Sequence, residues 1–374
     1  MIRMLSPRER VRRAVAHEET EIVPYKIPVH PRARAELVKA YGEDYEKNII
    51  EHFASTGPLA RLYPTMGQYF TYVDLTGIEK TRKYLQAAGF PRQYIDGFFA
   101  TPDEPWMDDF GCVWLQSSNG APHVVKHALS EPDLKDYEFP DYSNSQLCMH
   151  IPEEIEDNRG KFFVAGAGVL FYERAWAMRG FQQILIDFYR HPVFVEELLD
   201  NLVELNIQMA KEICRYSVDA VLFSDDFGMQ KGLIMGVRIW RKFLKPRLKQ
   251  IYGSVKKAGK LVMIHSCGDN SAIMSDLIEI GVDIFNPTQP EAMDIYELKR
   301  KYGSQITFDG GIPSQRLPFY TPEQIREEVT KIRSIMSENG GFVLSPTKEI
   351  RWDTPPETAM ALIEEIVNPG RSSR

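Results

Sequence analysis

The residue pair best suited to bind a metal is His265 and Cys267, which are separated by one residue. In an extended segment, residues i and i+2 project to the same side of the backbone. An imidazole nitrogen and a thiolate sulfur placed in this way can reach one Zn²⁺ at their usual distances of about 2.0–2.1 Å and 2.3 Å. The spacing therefore predicts a zinc site, although a core histidine beside a small buried cysteine would show the same pattern.

A second candidate group is the pair of adjacent carboxylates Asp225 and Asp226. Carboxylates at the end of a strand could hold a cation, polarise a substrate or exchange a proton with it. The alternative is structural, with Asp226 capping the following turn and Asp225 paired with a buried arginine. We carry both as catalytic candidates, and either of them, or Glu349, could add a carboxylate ligand to zinc.

Other polar residues also follow apolar segments. Lys348 and Glu349 complete the set of catalytic candidates. The predicted substrate-binding residues are Tyr172, Asn286, Asp309 and Arg351. The remaining cysteines are expected to be structural, and these are Cys112, Cys148 and Cys214.

The apolar segments before these residues have the composition of buried strands. They are rich in Val, Ile, Leu and Phe without polar alternation, which is typical of parallel strands buried on both faces. Six of them lie after residue 160, at Phe162–Ala165, Ala220–Ser224, Leu261–His265, Val282–Asn286, Ile306–Asp309 and Phe342–Ser345. Two earlier candidates are Ile22–Ile27 and Gln68–Val73.

Helices are predicted between the strands. Val193–Tyr216 has apolar residues at helical spacing, and Val237–Lys257 is a second helix that Pro246 should kink or divide. Thr321 is predicted to be the N-cap of a third helix. The residues Ser-Pro-Arg-Glu at 6–9 have the form of a capping box that begins an N-terminal helix.

The alternation of strands and helices predicts an α/β fold, either a doubly wound sheet or a (β/α)₈ TIM barrel. Eight strand candidates favour the barrel, with an irregular N-terminal helical extension. We expect one domain over residues 1–374, with the N-terminal helix at about 1–20 and an insertion at about 100–150 over the barrel mouth. Because active sites of such barrels lie beyond the C-terminal ends of the strands, the polar residues should converge at that mouth.

The composition argues against several classes of protein. A chain of 374 residues that is 43% hydrophobic can bury a large core. Its 45 Lys and Arg and 52 Asp and Glu give a formal net charge of −7, which argues against nucleic-acid binding. No apolar run approaches about 18 residues, and the N-terminus lacks a signal-peptide core. Four cysteines are too few for a disulfide scaffold, so we expect a cytoplasmic protein without a membrane span.

Several of these segments resemble those of the uroporphyrinogen decarboxylase superfamily, which includes cobalamin-dependent methyltransferases. The resemblance extends from about residue 160 to 366 and is carried by FVAGAG at 163–168, FSDDFG at 223–228, HSCG at 265–268, GVDIFN at 281–286, DGG at 309–311 and DTPPE at 353–357. It implies the barrel fold of the superfamily. The motifs are most similar to those of its corrinoid-dependent methyltransferase branch.

The sequence departs from both branches in one segment each. Decarboxylases of the superfamily carry an N-terminal Arg-rich segment for substrate carboxylates, which residues 23–30 lack. Methyltransferases bind zinc through His-x-Cys and a distant Cys, and the third position falls on Lys348 here. A protonated lysine cannot ligate zinc. Lys348 is therefore expected to pair with a nearby carboxylate, to bind an anionic group of the substrate, or to be neutral through desolvation, unless it is a solvated surface residue.

The resemblance implies a methyltransferase that moves a methyl group between a small methylated substrate and a corrinoid (cobalamin) protein. Zn²⁺ on His265 and Cys267 would act as the Lewis acid, and the corrinoid would be carried by the partner. A homodimer is a further expectation. Two alternatives stay open, a decarboxylase of the uroporphyrinogen type and a non-catalytic binder of a tetrapyrrole or corrinoid.

Overall fold

Strands and helices alternate over most of the chain in the computed structural model, which describes residues 5–42, 53–56, 105–115, 123–142, 148, 150–168 and 171–369. The predicted strand Gln68–Val73 lies outside these residues. Within them, no helix combines the length and the hydropathy needed to cross a membrane.

The six strands predicted after residue 160 are present in the structure, and their bounds differ from the predicted ones by a few residues at most. In chain order, β1 to β12 are Phe53–Thr56, Trp106–Met107, Val113–Leu115, His123–Lys126, Phe162–Gly168, Ala220–Ser224, Gly228–Met229, Gly232–Leu233, Leu261–His265, Ile284–Thr288, Thr307–Ile312 and Phe342–Pro346. Seven of them form one parallel sheet whose spatial order follows the chain, β1-β5-β6-β9-β10-β11-β12.

Helices connect these strands, and their starts carry the predicted signals. They lie at Pro7–Val15, Pro31–Tyr41, Ile151–Asp157, Tyr172–Arg179, Phe181–Arg190, Pro192–Ile213, Gly236–Ile239, Lys245–Lys257, Met274–Glu279, Ile295–Tyr302, Pro322–Met336 and Pro356–Val367. Ser6 and Thr321 are the N-caps of capping boxes. A π-helical turn at Trp240–Leu244 precedes Pro246, so the predicted helix 237–257 is divided as expected.

The sheet curves enough that its distant strands share one apolar cluster with the N-terminal helix Pro7–Val15. Val11 of this helix lies in one apolar cluster with Phe162 of β5 and Val343 of β12. In a flat sheet these two strands, five strand spacings apart, would be separated by roughly 24 Å. Beyond β12, the segment predicted as strand Ile22–Ile27 is held by an isolated parallel bridge from Tyr25 to Leu344 rather than by a continuous strand. The predicted α/β barrel is confirmed.

Residues 105–115 and 123–142 pack on helix Tyr172–Arg179, and a buried ion pair joins the first of these segments to it. Within these segments, β2, β3 and β4 form an antiparallel sheet. The Asp108 carboxylate accepts a hydrogen bond from the Arg174 guanidinium at 2.7 Å, and the two side chains are 0% and 1% exposed. The same carboxylate also accepts hydrogen bonds from the backbone N–H groups of Phe110 and Cys112 and from the indole of Trp114.

Asp109, next to this ion pair, should make stability depend on pH. Its carboxylate accepts a hydrogen bond from the Tyr142 hydroxyl. Burial raises the pKa of Asp109 to about 7, against the opposing charge of Arg174. Because an unfolded aspartate has a pKa of about 3.9, the folded state holds this proton more tightly. The free energy of unfolding should therefore fall as the pH rises from about 4 to about 7.

Asp109→Asn retains an acceptor for Tyr142 but cannot ionise. We expect this variant to lose that part of the pH dependence and to be more stable than the wild type at pH 8. Urea unfolding at pH 5 and pH 8 measures both effects. The same pH dependence in the two proteins would contradict the assignment.

Candidate metal centre

The register of three neighbouring strands brings the polar residues together at one level of the sheet. Ser224 at the end of β6 is aligned with His265 at the end of β9, which is in turn aligned with Asn286 of β10. The loops that follow β6 and β9 therefore enter the same space at the barrel mouth, the end of the barrel at which these strands finish. The first residues of these loops include Asp226 and Cys267.

Asp226, His265 and Cys267 form a group whose potential ligand atoms all lie within 4.8 Å of one another. His265 Nε2 is 3.4 Å from Cys267 Sγ, and the Cys267 N–H donates to Asp226 Oδ1 at 2.7 Å. Ligand atoms of a tetrahedral zinc site are about 3.3–3.8 Å apart, so the nitrogen–sulfur distance fits. Of the carboxylates considered for a third ligand, the structure places Asp226 in this group.

The loops after β6 and β9 approach each other through two glycines. A Cβ on Gly268 would lie 2.4 Å from the backbone carbon of Gly228, and Gly268 has a φ of +80°, which favours glycine. The Asn270 side-chain amide donates to the carbonyl oxygens of Ser266, Cys267 and Gly268, at 3.0, 3.1 and 3.1 Å. The backbone of the His-x-Cys loop is thus held in place from both sides.

Gly268→Ala should separate these loops and weaken metal binding. The added methyl group cannot fit against Gly228 without a shift that also displaces Cys267 from Asp226. We expect the zinc affinity to fall at least about tenfold, the lower end of what lost ligand support costs. Competition with a chelator measures it. Gly253→Ala is the control, because a Cβ there meets nothing within 4 Å. Unchanged affinity in a folded Gly268→Ala protein would contradict this role.

Burial shapes the acid–base properties of the two predicted ligands. Burial lowers the pKa of His265 below its ordinary value, although the charge of Asp226 opposes the shift, so the ring is neutral near pH 7. Burial raises the pKa of the Cys267 thiol to about 12, and the charge of Asp226 adds to the rise. A cation that binds here must therefore displace the thiol proton.

Two further buried acids lie beside this group. Asp225 accepts hydrogen bonds from the backbone N–H groups of Tyr172 and Glu173, at 2.8 and 2.7 Å, and burial raises its pKa to about 7. The pKa of Glu173 is raised well above its ordinary value by burial and by the charges of Asp226 and Asp225. The sequence analysis missed Glu173. Its place directly after the predicted substrate-binding residue Tyr172, and shortly after β5, could have indicated it.

The three candidate residues that follow β12 have different neighbours in the structure. The positive charge of Lys348 lowers the pKa of both His265 and Cys267, which places its exposed side chain near the group. Glu349 instead acts on His30, whose pKa its charge raises against the dominant lowering by burial. The guanidinium of Arg351 is exposed, 4.8 Å from the ring centre of Trp352.

The other predicted substrate-binding residues are buried. Asp309 is 0% exposed and its oxygens accept hydrogen bonds from three side chains, so it orients neighbouring groups. Asn286 lies between Asp309 and His265. The Tyr172 hydroxyl is buried and has no hydrogen-bond partner among the residues that the structure describes. Lys26, which donates to Asp309, was also missed by the sequence analysis, because its segment was read only for arginines.

Barrel enzymes have their active sites at the end of the barrel where the strands finish. In this protein the buried acids and the three potential metal ligands meet at that end, as in such an enzyme. The family model described as uroporphyrinogen decarboxylase (URO-D) matches residues 107–368, and the chain belongs to this family. The resemblance inferred from the motifs is confirmed.

Relatives of both branches match the chain. A uroporphyrinogen decarboxylase of Ruthia magnifica subsp. Calyptogena magnifica is 24% identical over 181 residues, 48% of this chain and 50% of its own. The methylcobamide:CoM methyltransferase MtaA of Methanosarcina barkeri is 26% identical over 168 residues, 45% of this chain and 47% of its own. The match thus spans about half the length of these two relatives.

A solved structure shares the fold over nearly the whole chain. A methyltransferase from Methanosarcina mazei aligns with a TM-score of 0.63 at 20% identity, covering 97% of this chain and 98% of that one. At this identity the likeness shows the fold alone.

Proposed function

We propose that this protein is a methyltransferase that moves a methyl group between a small methylated substrate and a corrinoid protein. The observation that carries the proposal is the clustering of Asp226, His265 and Cys267, whose ligand atoms all lie within 4.8 Å of one another. Nitrogen, sulfur and carboxylate oxygen are all donors that zinc accepts. When bound, zinc would act as a Lewis acid on the heteroatom that carries or receives the methyl group.

The surrounding residues would position the substrate and control charge. The ammonium of Lys348 lies near His265 and Cys267. It would bind an anionic group of the substrate, or stabilise the negative charge that develops on the substrate heteroatom. Asp225, through its two hydrogen bonds to backbone N–H groups, fixes the start of helix Tyr172–Arg179 beside the site. This contact places Glu173 next to Asp226.

The decarboxylase alternative is supported by the relatives of that name. A polycarboxylated substrate would need several cations around the reacting group. The charges of Lys348 and Lys26 act on His265, but Lys26 is already paired with Asp309. Residues 23–30 also lack the arginines that such a substrate would need. We therefore favour methyl transfer over decarboxylation as the activity of this protein.

The two activities can be separated with the purified full chain. We expect about one zinc ion per chain, methyl transfer between cob(I)alamin and some member of a panel of methylated aromatics, amines and thiols, and no decarboxylation of uroporphyrinogen. Formation of coproporphyrinogen in an anaerobic assay would overturn this order. Protein that stays metal-free in zinc-containing medium would contradict the zinc site.

Lys348→Ala should lower methyl transfer at least about tenfold, about 1.4 kcal/mol of activation free energy. The loss follows from removing the cation near His265 and Cys267, and zinc content should change little because lysine is not a ligand. Lys249→Ala, an exposed lysine on helix Lys245–Lys257, is the control. Unchanged turnover in Lys348→Ala would show that Lys348 is a solvated surface residue without a role in the reaction.

We further propose that the chain is a single domain in which about residues 100–150 cover the barrel mouth. The packing of residues 105–115 and 123–142 on helix Tyr172–Arg179 supports this, since Asp225 accepts hydrogen bonds from the first backbone N–H groups of that helix. Limited proteolysis that releases a stable fragment from within 1–374 would contradict it.

A further inference from the structure

A continuous series of polar contacts runs from His265 to the ion pair of the half-buried Lys26 and the buried Asp309. His265 Nδ1 is 2.7 Å from Asn286 Oδ1, and Asn286 Nδ2 donates to Asp309 Oδ2 at 3.0 Å. Lys26 Nζ donates to the same Asp309 oxygen at 2.6 Å, and the Ser345 hydroxyl donates to the other oxygen at 2.8 Å. We call the chain Lys26–Asp309–Asn286–His265 the His265 relay.

The relay determines which nitrogen of His265 carries the proton. An ionised carboxylate only accepts hydrogen bonds, so the Asn286 amide must turn its NH₂ group toward Asp309 and its oxygen toward His265. An amide oxygen also only accepts, so His265 Nδ1 must be the donor. The Nε2 atom of a neutral ring then keeps its lone pair, and Nε2 is the atom 3.4 Å from Cys267 Sγ.

Lys26 holds the Asp309 carboxylate in the position that orients Asn286. Its ammonium donates to Asp309 Oδ2, the same oxygen that accepts from the Asn286 amide. Without this contact the carboxylate could turn away, and the Asn286 amide could turn over so that its NH₂ group faces His265 Nδ1. That arrangement would place the ring proton on Nε2, where it blocks a metal ligand.

We propose that Lys26, Asp309 and Asn286 are positioning residues that hold His265 in the Nδ1-protonated tautomer, with the Nε2 lone pair directed at the metal centre. The role at a metal rests on the proposed function, whereas the tautomer does not. Lys26 lies before the family-matched residues 107–368 and reaches the site because its backbone N–H donates to Leu344 of β12, at 3.2 Å. In this proposal the N-terminal segment contributes a positioning residue, Lys26, to the site.

The imidazole ¹⁵N spectrum of metal-free, histidine-labelled protein reports the tautomer directly. We expect a single Nδ1-protonated form of His265 in the wild type and a mixture of tautomers in Asn286→Ala. Zinc affinity, measured by chelator competition, should fall about 10–100-fold in Asn286→Ala, the usual effect of losing such a partner. Lys26→Met should shift both measurements in the same direction by a smaller amount.

The matched control is Lys260→Met. Lys260 is also half-buried and donates to a carbonyl oxygen, that of Val218 at 2.9 Å, but it precedes β9, at the opposite end from His265. We expect the tautomer and zinc affinity of this variant to match the wild type. Thermal unfolding identifies variants that do not fold, and Lys26→Met carries the test if Asn286→Ala is one of them.

The outcomes separate this inference from the proposed function. A wild-type tautomer and zinc affinity in folded Asn286→Ala, or in Lys26→Met when Asn286→Ala does not fold, would overturn the relay. Wild-type protein that binds no zinc would instead contradict the proposed function, while the ¹⁵N comparison would still decide the relay.

Discussion

Replacing Cys267 by serine should reduce bound zinc from about one ion per chain to less than about a tenth, and methyl transfer at least about a hundredfold. The substitution removes one of the three clustered donors, and a serine hydroxyl is far harder to deprotonate than a thiol. The fold should persist, because residues at a barrel mouth contribute function more than stability. Metal content after dialysis and a chelator-competition titration measure the loss.

Cys214→Ser is the control for this experiment. Cys214 is a half-buried cysteine at the end of helix Pro192–Ile213, in a different part of the molecule from the metal centre. Its replacement should leave the zinc content unchanged. Full zinc occupancy in Cys267→Ser would rule out the assigned ligand set and, with it, the proposed role of His265.

Asp108→Ala should lower the free energy of unfolding by about 3–5 kcal/mol. The substitution leaves the Arg174 guanidinium, which is 1% exposed, without its carboxylate at 2.7 Å. The hydrogen bonds of Trp114 and of two backbone N–H groups are lost as well. Urea unfolding followed by circular dichroism measures the change.

Two further variants separate the ion pair from a general effect of truncation. Asp136→Ala, at an exposed position in residues 123–142, should change stability by less than about 0.5 kcal/mol. Adding Arg174→Met to Asp108→Ala should recover part of the loss, because no unpaired charge then remains buried. A double variant that loses the sum of the two single effects would show that the buried charge is not the cause.

Local chemistry was enough to predict the parts of the site that depend on neighbouring residues. The i, i+2 spacing of His265 and Cys267 in an extended segment places both side chains on one side, and they lie 3.4 Å apart in the structure. The apolar runs before strand ends could also be recognised locally. A parallel strand buried on both faces shows no alternation of apolar and polar residues. The roles of these residues remain proposals.

Contacts between distant segments could not be predicted in this way. Asp225, Asp226 and Glu349 were equivalent candidates for a third ligand, and only the register of β6 against β9 places Asp226 beside Cys267. Glu173 was not recognised, because its raised pKa arises from burial and from charges contributed by another loop.

The sequence by itself determined the alternation of strands and helices and the His-x-Cys pair, because periodicity, capping and short spacings are properties of neighbouring residues. The family resemblance came from the motifs at the ends of the strands. The tertiary structure alone decided which carboxylate joins that pair and how His265 is oriented. Lys26 and Asp309 are 283 positions apart, yet 2.6 Å separates their side chains. Such a contact follows from the isolated parallel bridge between Tyr25 and Leu344, which holds the N-terminal segment against β12, and no pattern along the chain encodes that distance.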